Sequence, residues 1–240
     1  MAWIHRAEAR GIAAELGAPL HTYRGQGGLL RLSDPALLRA IEALTRSGIP
    51  YIGPGLAAMR FCYDKLAASE RVAAAGIDCP AQATSFPMVI KPRRGSDSIG
   101  VRIARSGPIP PDHLAQERLL GMELTVGTIA ATVGAPLRIV LREGALYSFA
   151  RKYLRRPRRE VVSGALADRV RDTALRIATL LGVDWAARVD FIYEARRDRL
   201  CFLECDVAPL VGAGSAFAAS LRAGGMPRAE QLRRLTIRAC

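Results

Sequence analysis

Two apolar stretches near the carboxyl end carry charged residues at alternate positions, and few folds accommodate that pattern. Ala187-Arg-Val-Asp-Phe and Leu203-Glu-Cys-Asp each place polar groups two residues apart, and in an extended strand residues i and i+2 share a face. Arg188 therefore lies on one face with Asp190, and Glu204 on one face with Asp206. The polar stretch from Glu194 to Arg199 reads as a hairpin turn between them. With the turn centred near Arg197, Asp190 falls opposite Glu204, and Asp206 falls beside Arg188. Three carboxylates on one sheet face repel unless a cation lies among them. All-oxygen ligation with room for waters and phosphates suits Mg²⁺. Salt bridges to neighbouring arginines are the alternative use of the same acids.

The chain has 240 residues, half of them hydrophobic, which is enough for a full core in one domain or two fused lobes. No apolar run reaches membrane-spanning length and the amino terminus lacks a signal-peptide core, so the expected location is cytoplasmic. The cysteines are odd in number and scattered (Cys62, Cys79, Cys201, Cys205, Cys240), which argues against a disulfide framework. No histidine lies near Cys201 and Cys205, so buried apolar thiols are expected there rather than zinc.

The formal charge of +13 points to nucleic acid, to an anionic substrate, or to nothing beyond an arginine-rich solvated surface. The densest basic run, Arg151 to Arg159, is interrupted by Pro157 and so belongs to a loop. Aromatics are only 6% of the chain and no zinc-finger spacing accompanies the run, so an anion-facing loop is favoured over a nucleic-acid surface.

Apolar spacing predicts helices in the first fifty residues, with a start at Ser33-Asp34-Pro35, then one helix from about Leu56 to Ala75 closed by Gly76. Strands are expected at Val89-Ile90, Val101–Ala104 and Glu123–Ala131, a helix from Leu166 to Leu181 ended by Gly182, and a last helix from Arg228 to Ala239. Strands and helices mix without strict alternation, which implies α+β lobes rather than a doubly wound sheet. Lys91 leaves a buried strand and enters Gly95-Ser-Asp-Ser-Ile-Gly100, a loop whose amides can approach phosphate oxygens. The order of a Walker motif is absent.

From about Ile49 onward the chain resembles the ATP-grasp enzymes, most closely the D-alanine–D-alanine ligases. The resemblance rests on Tyr51-Ile-Gly-Pro-Gly, Asp64-Lys65, Phe86-Pro-Met-Val-Ile-Lys-Pro and Gly121-Met-Glu-Leu-Thr-Val, then Arg151-Lys-Tyr, Ala187-Arg-Val-Asp-Phe, Leu203-Glu-Cys-Asp and Ser215, in that order. It implies an ATP-grasp fold of two α/β lobes with the nucleotide between them. Residues 1–54 would form a shortened amino-terminal segment, 55–121 the central lobe and 122–240 the carboxyl-terminal lobe.

The same resemblance implies that Lys65, Lys91 and Lys152 contact ATP phosphates, with Ser96 in the phosphate loop. Gln116, Glu117 and Leu119 fall at the adenine hinge, and Glu123 on the ribose hydroxyls. Asp190, Glu204 and Asp206 fall on the ligands of Mg²⁺, with Mn²⁺ as a substitute. Arg188 matches the arginine that steadies the tetrahedral intermediate, and Ser215 a contact to the acceptor carboxylate. The implied activity is ATP-dependent joining of a small-molecule carboxylate to an amine through an acyl phosphate, with one partner open to being acidic and a homodimer allowed.

Departures concern the substrate. The family glutamate that holds the first substrate has no evident counterpart, and Asp97 replaces a serine of the phosphate loop. Asp206 stands for asparagine, and Leu210 for a glycine whose amide serves the oxyanion. Leu210 can supply that amide only if the backbone does not need positive φ there. An amino acid or amine other than D-alanine is therefore expected. A non-catalytic nucleotide-binding subunit and a basic nucleic-acid binder are the competing classes.

Overall fold

The computed structural model describes residues 2–22, 24–32, 34–95, 98–141 and 157–237. Ser96, Asp97, Lys152 and the basic run up to Arg156 lie outside the described residues.

Two antiparallel sheets organise the chain. The smaller has the order β2-β1-β3, from β1 (Met88–Pro92), β2 (Arg102–Ala104) and β3 (His113–Glu117). The larger runs β7-β6-β4-β8-β9, with β5 (Thr132–Val133) on the side of β4. Its strands are β4 (Met122–Ile129), β6 (Leu137–Ile139), β7 (Arg159–Val161), β8 (Ala186–Glu194) and β9 (Arg199–Asp206). Sheets and helices without βαβ alternation make an α+β architecture.

Helices cover the larger sheet. Helix α5 (Ala165–Leu180) buries Val170, Ala174 and Ile177 at helical spacing against Leu124, Val126, Val189 and Phe202. Phe191 and Phe202, on paired strands, meet edge to face with centroids 6.5 Å apart. Helix α2 (Asp34–Arg46) adds Leu37, Ile41 and Leu44 to the same core, spaced one turn apart. A second cluster joins Ile12 of α1 (Ala2–Leu16) to Trp185, Val211, and Phe217 and Leu221 of α6 (Ala216–Ala223), and to Leu235 of α7 (Arg228–Thr236). Gly127 lets α6 approach β4 closely, because a Cβ there would lie 2.9 Å from the Phe217 carbonyl.

The single helix expected from about Leu56 to Ala75 is instead two, α3 (Leu56–Tyr63) and α4 (Lys65–Ala74). Asp64 breaks it in an extended conformation, with φ −95° and ψ 97°. Its carboxylate accepts from the amides of Leu66 and Ala67, capping α4, and from Arg93 Nε at 2.8 Å. An alanine-rich stretch has ample helix propensity, but a cap combined with an ion pair outweighs one more helical turn. Lys65 is thereby set on the first turn of α4, and its amide donates to the Arg93 carbonyl at 2.9 Å. Among the described residues no helix is long and apolar enough to cross a membrane.

Candidate active site

Strands β8 and β9 pair in the register expected from the sequence, Asp190 opposite Glu204 and Arg188 opposite Asp206. The turn is a short 3₁₀ helix, Ala195–Arg197, closed by Asp198 in the left-handed region. Val189, Phe191 and Cys205 point into the core, so the intervening Arg188, Asp190, Glu204 and Asp206 share the opposite face.

The cation among the carboxylates is the Arg188 guanidinium. Its Nε and Nη2 each lie 3.0 Å from an Asp190 oxygen, Nη1 lies 3.3 Å from Asp206, and Nη2 lies 3.7 Å from Glu204. Burial opposes its charge, but Asp190, Asp206 and Glu204 together hold its pKa well above the ordinary arginine value. Asp190 also accepts from Thr125 Oγ1 at 2.7 Å across the β4–β8 pair. Thr125 was not evident from sequence, since a strand threonine is ordinarily a packing residue.

Lys91 and Lys65 face this group from the smaller sheet and from α4. Lys91 is 8% exposed, with its Nζ 3.5 Å from the Leu203 carbonyl. Burial pushes its pKa down to about 8; Glu204 opposes that shift and Lys65 adds to it. The Lys65 ammonium donates to the carbonyl of Gly95 in the phosphate-type loop. Lys65, Gly95, Glu204 and Asp206 line one cavity of about 30 Å³, enough for a water or two. Asp190 is not among the lining residues; both its oxygens are engaged by Arg188 and Thr125.

Among the described residues no three histidine, cysteine or acidic side chains are grouped so as to hold a metal by themselves. Glu204 and Asp206, lining one cavity with Lys65 and Gly95, nevertheless fit Mg²⁺, which is ordinarily held by one or two carboxylates together with substrate phosphates rather than by an all-protein cage.

The segment joining the two sheets contains the residues predicted at an adenine hinge. Gln116 is buried in β3, opposite Val89. The Glu117 carboxylate accepts from the Ala81 amide at 3.0 Å and from Arg199 at 2.8 Å; burial raises its pKa, and these contacts more than reverse that. Leu119 is buried, and Glu123 sits on β4 opposite Ile139 and Ile192. Gly121 is required here, because a Cβ would lie 2.3 Å from the Tyr193 carbonyl.

At the far end, the Ser215 hydroxyl caps α6 by accepting from the Ala218 amide at 3.0 Å. Leu210 is not among the positive-φ residues, so its amide keeps an ordinary conformation despite the side chain. Two residues missed in the sequence secure this loop. Glu8 of α1 accepts from the amides of Val211 and Gly212, and Arg31 donates to the Pro209 carbonyl at 2.7 Å. Glu8 and Arg31 pair at 2.6 Å with side chains only 6% and 5% exposed. Their separation in sequence left no spacing signal. Arg159, from the end of the basic run, donates to Gly214 of the same loop at 2.9 Å.

The ATP-grasp domain family matches residues 62–204, the span from the α3–α4 junction to the acidic face of β9. The chain belongs to the ATP-grasp family. D-alanine–D-alanine ligase of Gluconobacter oxydans is 31% identical over 218 residues, covering 79% of this chain and 69% of that protein. The same-named enzyme of Acidiphilium cryptum is 30% identical over 225 residues, covering 82% and 73%. The fold matches a Bacillus anthracis D-alanine–D-alanine ligase solved with ATP at a TM-score of 0.77 and 19% identity, over 97% of this chain and 91% of that one. A D-Ala:D-Ser ligase of Enterococcus faecalis matches at 0.69 and 20% identity, over 85% and 68%. This protein is accordingly a D-alanine–D-alanine-ligase-like ATP-grasp enzyme, a ligase that forms carbon–nitrogen bonds.

Proposed function

We propose that this ATP-grasp ligase joins an amino acid carboxylate to an amine, with an acyl phosphate as intermediate and a substrate pair other than two D-alanines. One observation carries the reading: Arg188 is held among three carboxylates on the β8–β9 face, with Lys65 and Lys91 opposite. In the first step a carboxylate oxygen attacks the γ-phosphorus of ATP and ADP leaves. Lys65 and Lys91 neutralise charge on the phosphates, and Lys152 joins them in this proposal. Glu204 and Asp206 would hold Mg²⁺, with Asp190 behind them; the ion supplies charge neutralisation and alignment of phosphate oxygens. In the second step the amine attacks the acyl carbon. Arg188 and the Leu210 amide stabilise the oxyanion, and phosphate departs. Positioning and electrostatics suffice, and no protein nucleophile is required.

A phosphate bound by the Lys65 ammonium would compete for it with the carbonyl of Gly95. The altered substrate is supported by Leu210 in the oxyanion loop and by Glu8, whose carboxylate is committed to the amides of Val211 and Gly212. The test is ADP release with Mg²⁺ across pairwise mixtures of amino acids and amines, D-alanine alone being one arm. Release that depends on both partners supports the proposal. Release with D-alanine alone at the level of the best pair refutes the altered substrate, and no pair above background hydrolysis refutes the ligation.

A further inference from the structure

Helices α1 and α2 and the segment between them line a cavity of about 760 Å³ that shares no lining residue with the one formed by Lys65 and Glu204. Small-molecule sites ordinarily occupy roughly 300–1,000 Å³. The walls are cationic: Arg6 and Arg10 come from α1, Arg39 from α2 and Arg31 from the connecting segment, with His5 and His21 beside them. No carboxylate is among the described residues that line it.

The acids that might have balanced this charge are committed elsewhere. Glu8 of α1 is paired with Arg31 and the 211–212 amides, and Glu15 with Arg228 at 2.6 Å. Arg6, Arg10 and Arg39 have no ion pair among the described residues. Arg6 and Arg10 are four apart on one helix, a like-charge spacing that costs the helix stability unless an anion compensates it. Arg39 faces them from α2. Ala9, Leu32 and Ala40 add apolar surface to the same lining. Guanidinium forks around a partly apolar concavity match a planar or compact organic body bearing phosphate or carboxylate oxygens, and a concave site of one sign concentrates the field on such a ligand.

We infer that this cavity is a second ligand site, distinct from the nucleotide cleft, that binds a small organic anion through Arg6, Arg10 and Arg39. Phosphate esters and carboxylates share the recognising chemistry. Arg31 lines the cavity while holding the Pro209 carbonyl, so site and acceptor loop have one residue in common.

The test is calorimetric titration of the full chain with phenyl phosphate and, separately, isophthalate, at constant ionic strength. Saturable binding of at least one probe is expected, and which one binds identifies the anionic group. Lys91→Ala, impaired in the nucleotide cleft, should retain that binding. The Arg6→Gln/Arg10→Gln/Arg39→Gln variant should lose about tenfold or more in affinity, the scale of losing charge-assisted pairs. Arg39→Gln alone should weaken binding in the same direction, and serves if the triple variant does not fold. The inference is overturned if neither probe binds saturably at millimolar concentration, if the arginine variants bind as the wild type does, or if binding is lost in Lys91→Ala.

Discussion

Residue by residue, the cleft sets cations and carboxylates against each other with little solvent between them. Lys91 shows the consequence most directly. In the unfolded chain its pKa is near 10.4; in the fold it is about 8. Between those values the unfolded state binds more protons, so Lys91 destabilises the nucleotide-free protein at neutral pH, and that penalty fades as pH rises from 8 to 10.4. Lys91→Met is therefore expected to raise the unfolding free energy at pH 7 by about 3 kcal/mol at most, taking 1.4 kcal/mol per unit. Its advantage over wild type should shrink as denaturation is repeated up to pH 10.4. A bound triphosphate favours the charged lysine, so affinity for a non-hydrolysable ATP analogue should weaken above pH 8 in the wild type, and Lys91→Met should bind weakly throughout. The acids give a complementary expectation. Glu204→Ala should lower Mg²⁺-dependent ADP release by roughly a hundredfold or more, the scale of deleting one preorganised electrostatic contact, while its melting temperature stays near that of wild type. Wild-type ADP release from this variant would remove Glu204 from the site.

Secondary-structure elements differ in how legible they are in the sequence, and the reason is local versus distant information. The shared face of the β8–β9 acids could be read because its signal is a period-two alternation within two short stretches, whereas the pairing of Asp190 with Glu204 also needs a register shift between Asp190 and Phe191, since Glu194 pairs with Arg199 at the turn. The cation among those acids could not be read the same way. Alternation puts Arg188 on their face, but only its side-chain conformation decides that the guanidinium sits between them. The break at Asp64 was hidden for another reason. Alanine-rich flanks read as continuous helix, and the partner that rewards the interruption, Arg93, lies beyond α4, just past the end of β1. Ser215 illustrates a third case, a serine expected as a substrate contact whose hydroxyl also accepts from the Ala218 amide to cap α6 and keeps its own O–H to donate. At the α3–α4 junction the expected outcome is specific. Asp64→Ala should destabilise the fold by about 1–2 kcal/mol through the lost cap and weaken nucleotide binding, because Lys65 loses its anchored first turn. Asp64→Asn can still accept from the Leu66 and Ala67 amides and should cost less in urea denaturation. Equal losses in the two variants would place the effect in the Arg93 pair rather than in the cap.

Across the whole molecule, the amino-terminal helix is tied to the carboxyl-terminal half by the hydrogen bonds of Glu8 to the Val211 and Gly212 amides, by the Glu15–Arg228 ion pair and by the apolar contact of Ile12. Ile12 enters the cluster around Trp185 and Phe217, while Glu8 and Arg31 clasp the loop from Pro209 to Gly212 that follows the acidic strand. That loop carries Leu210, so a contact between distant parts of the chain positions an amide proposed to act in the second chemical step. The clasp has a thermodynamic signature that separates it from ordinary packing. Removing one member of a buried pair leaves the other charged and unpaired, at a cost of about 3–5 kcal/mol, whereas replacing both with apolar side chains is often nearly neutral. Glu8→Ala should therefore fall in that range by denaturation, and Glu8→Leu/Arg31→Met should recover most of the stability. Activity should not recover with it. The amides of Val211 and Gly212 and the Pro209 carbonyl lose their partners in the double variant, so the loop is free to move, and turnover should remain depressed with the affinity for the ATP analogue unchanged. A double variant that regains both stability and turnover would show that the loop holds its position without the clasp, and would reduce Glu8 and Arg31 to a structural tie between the two ends of the chain.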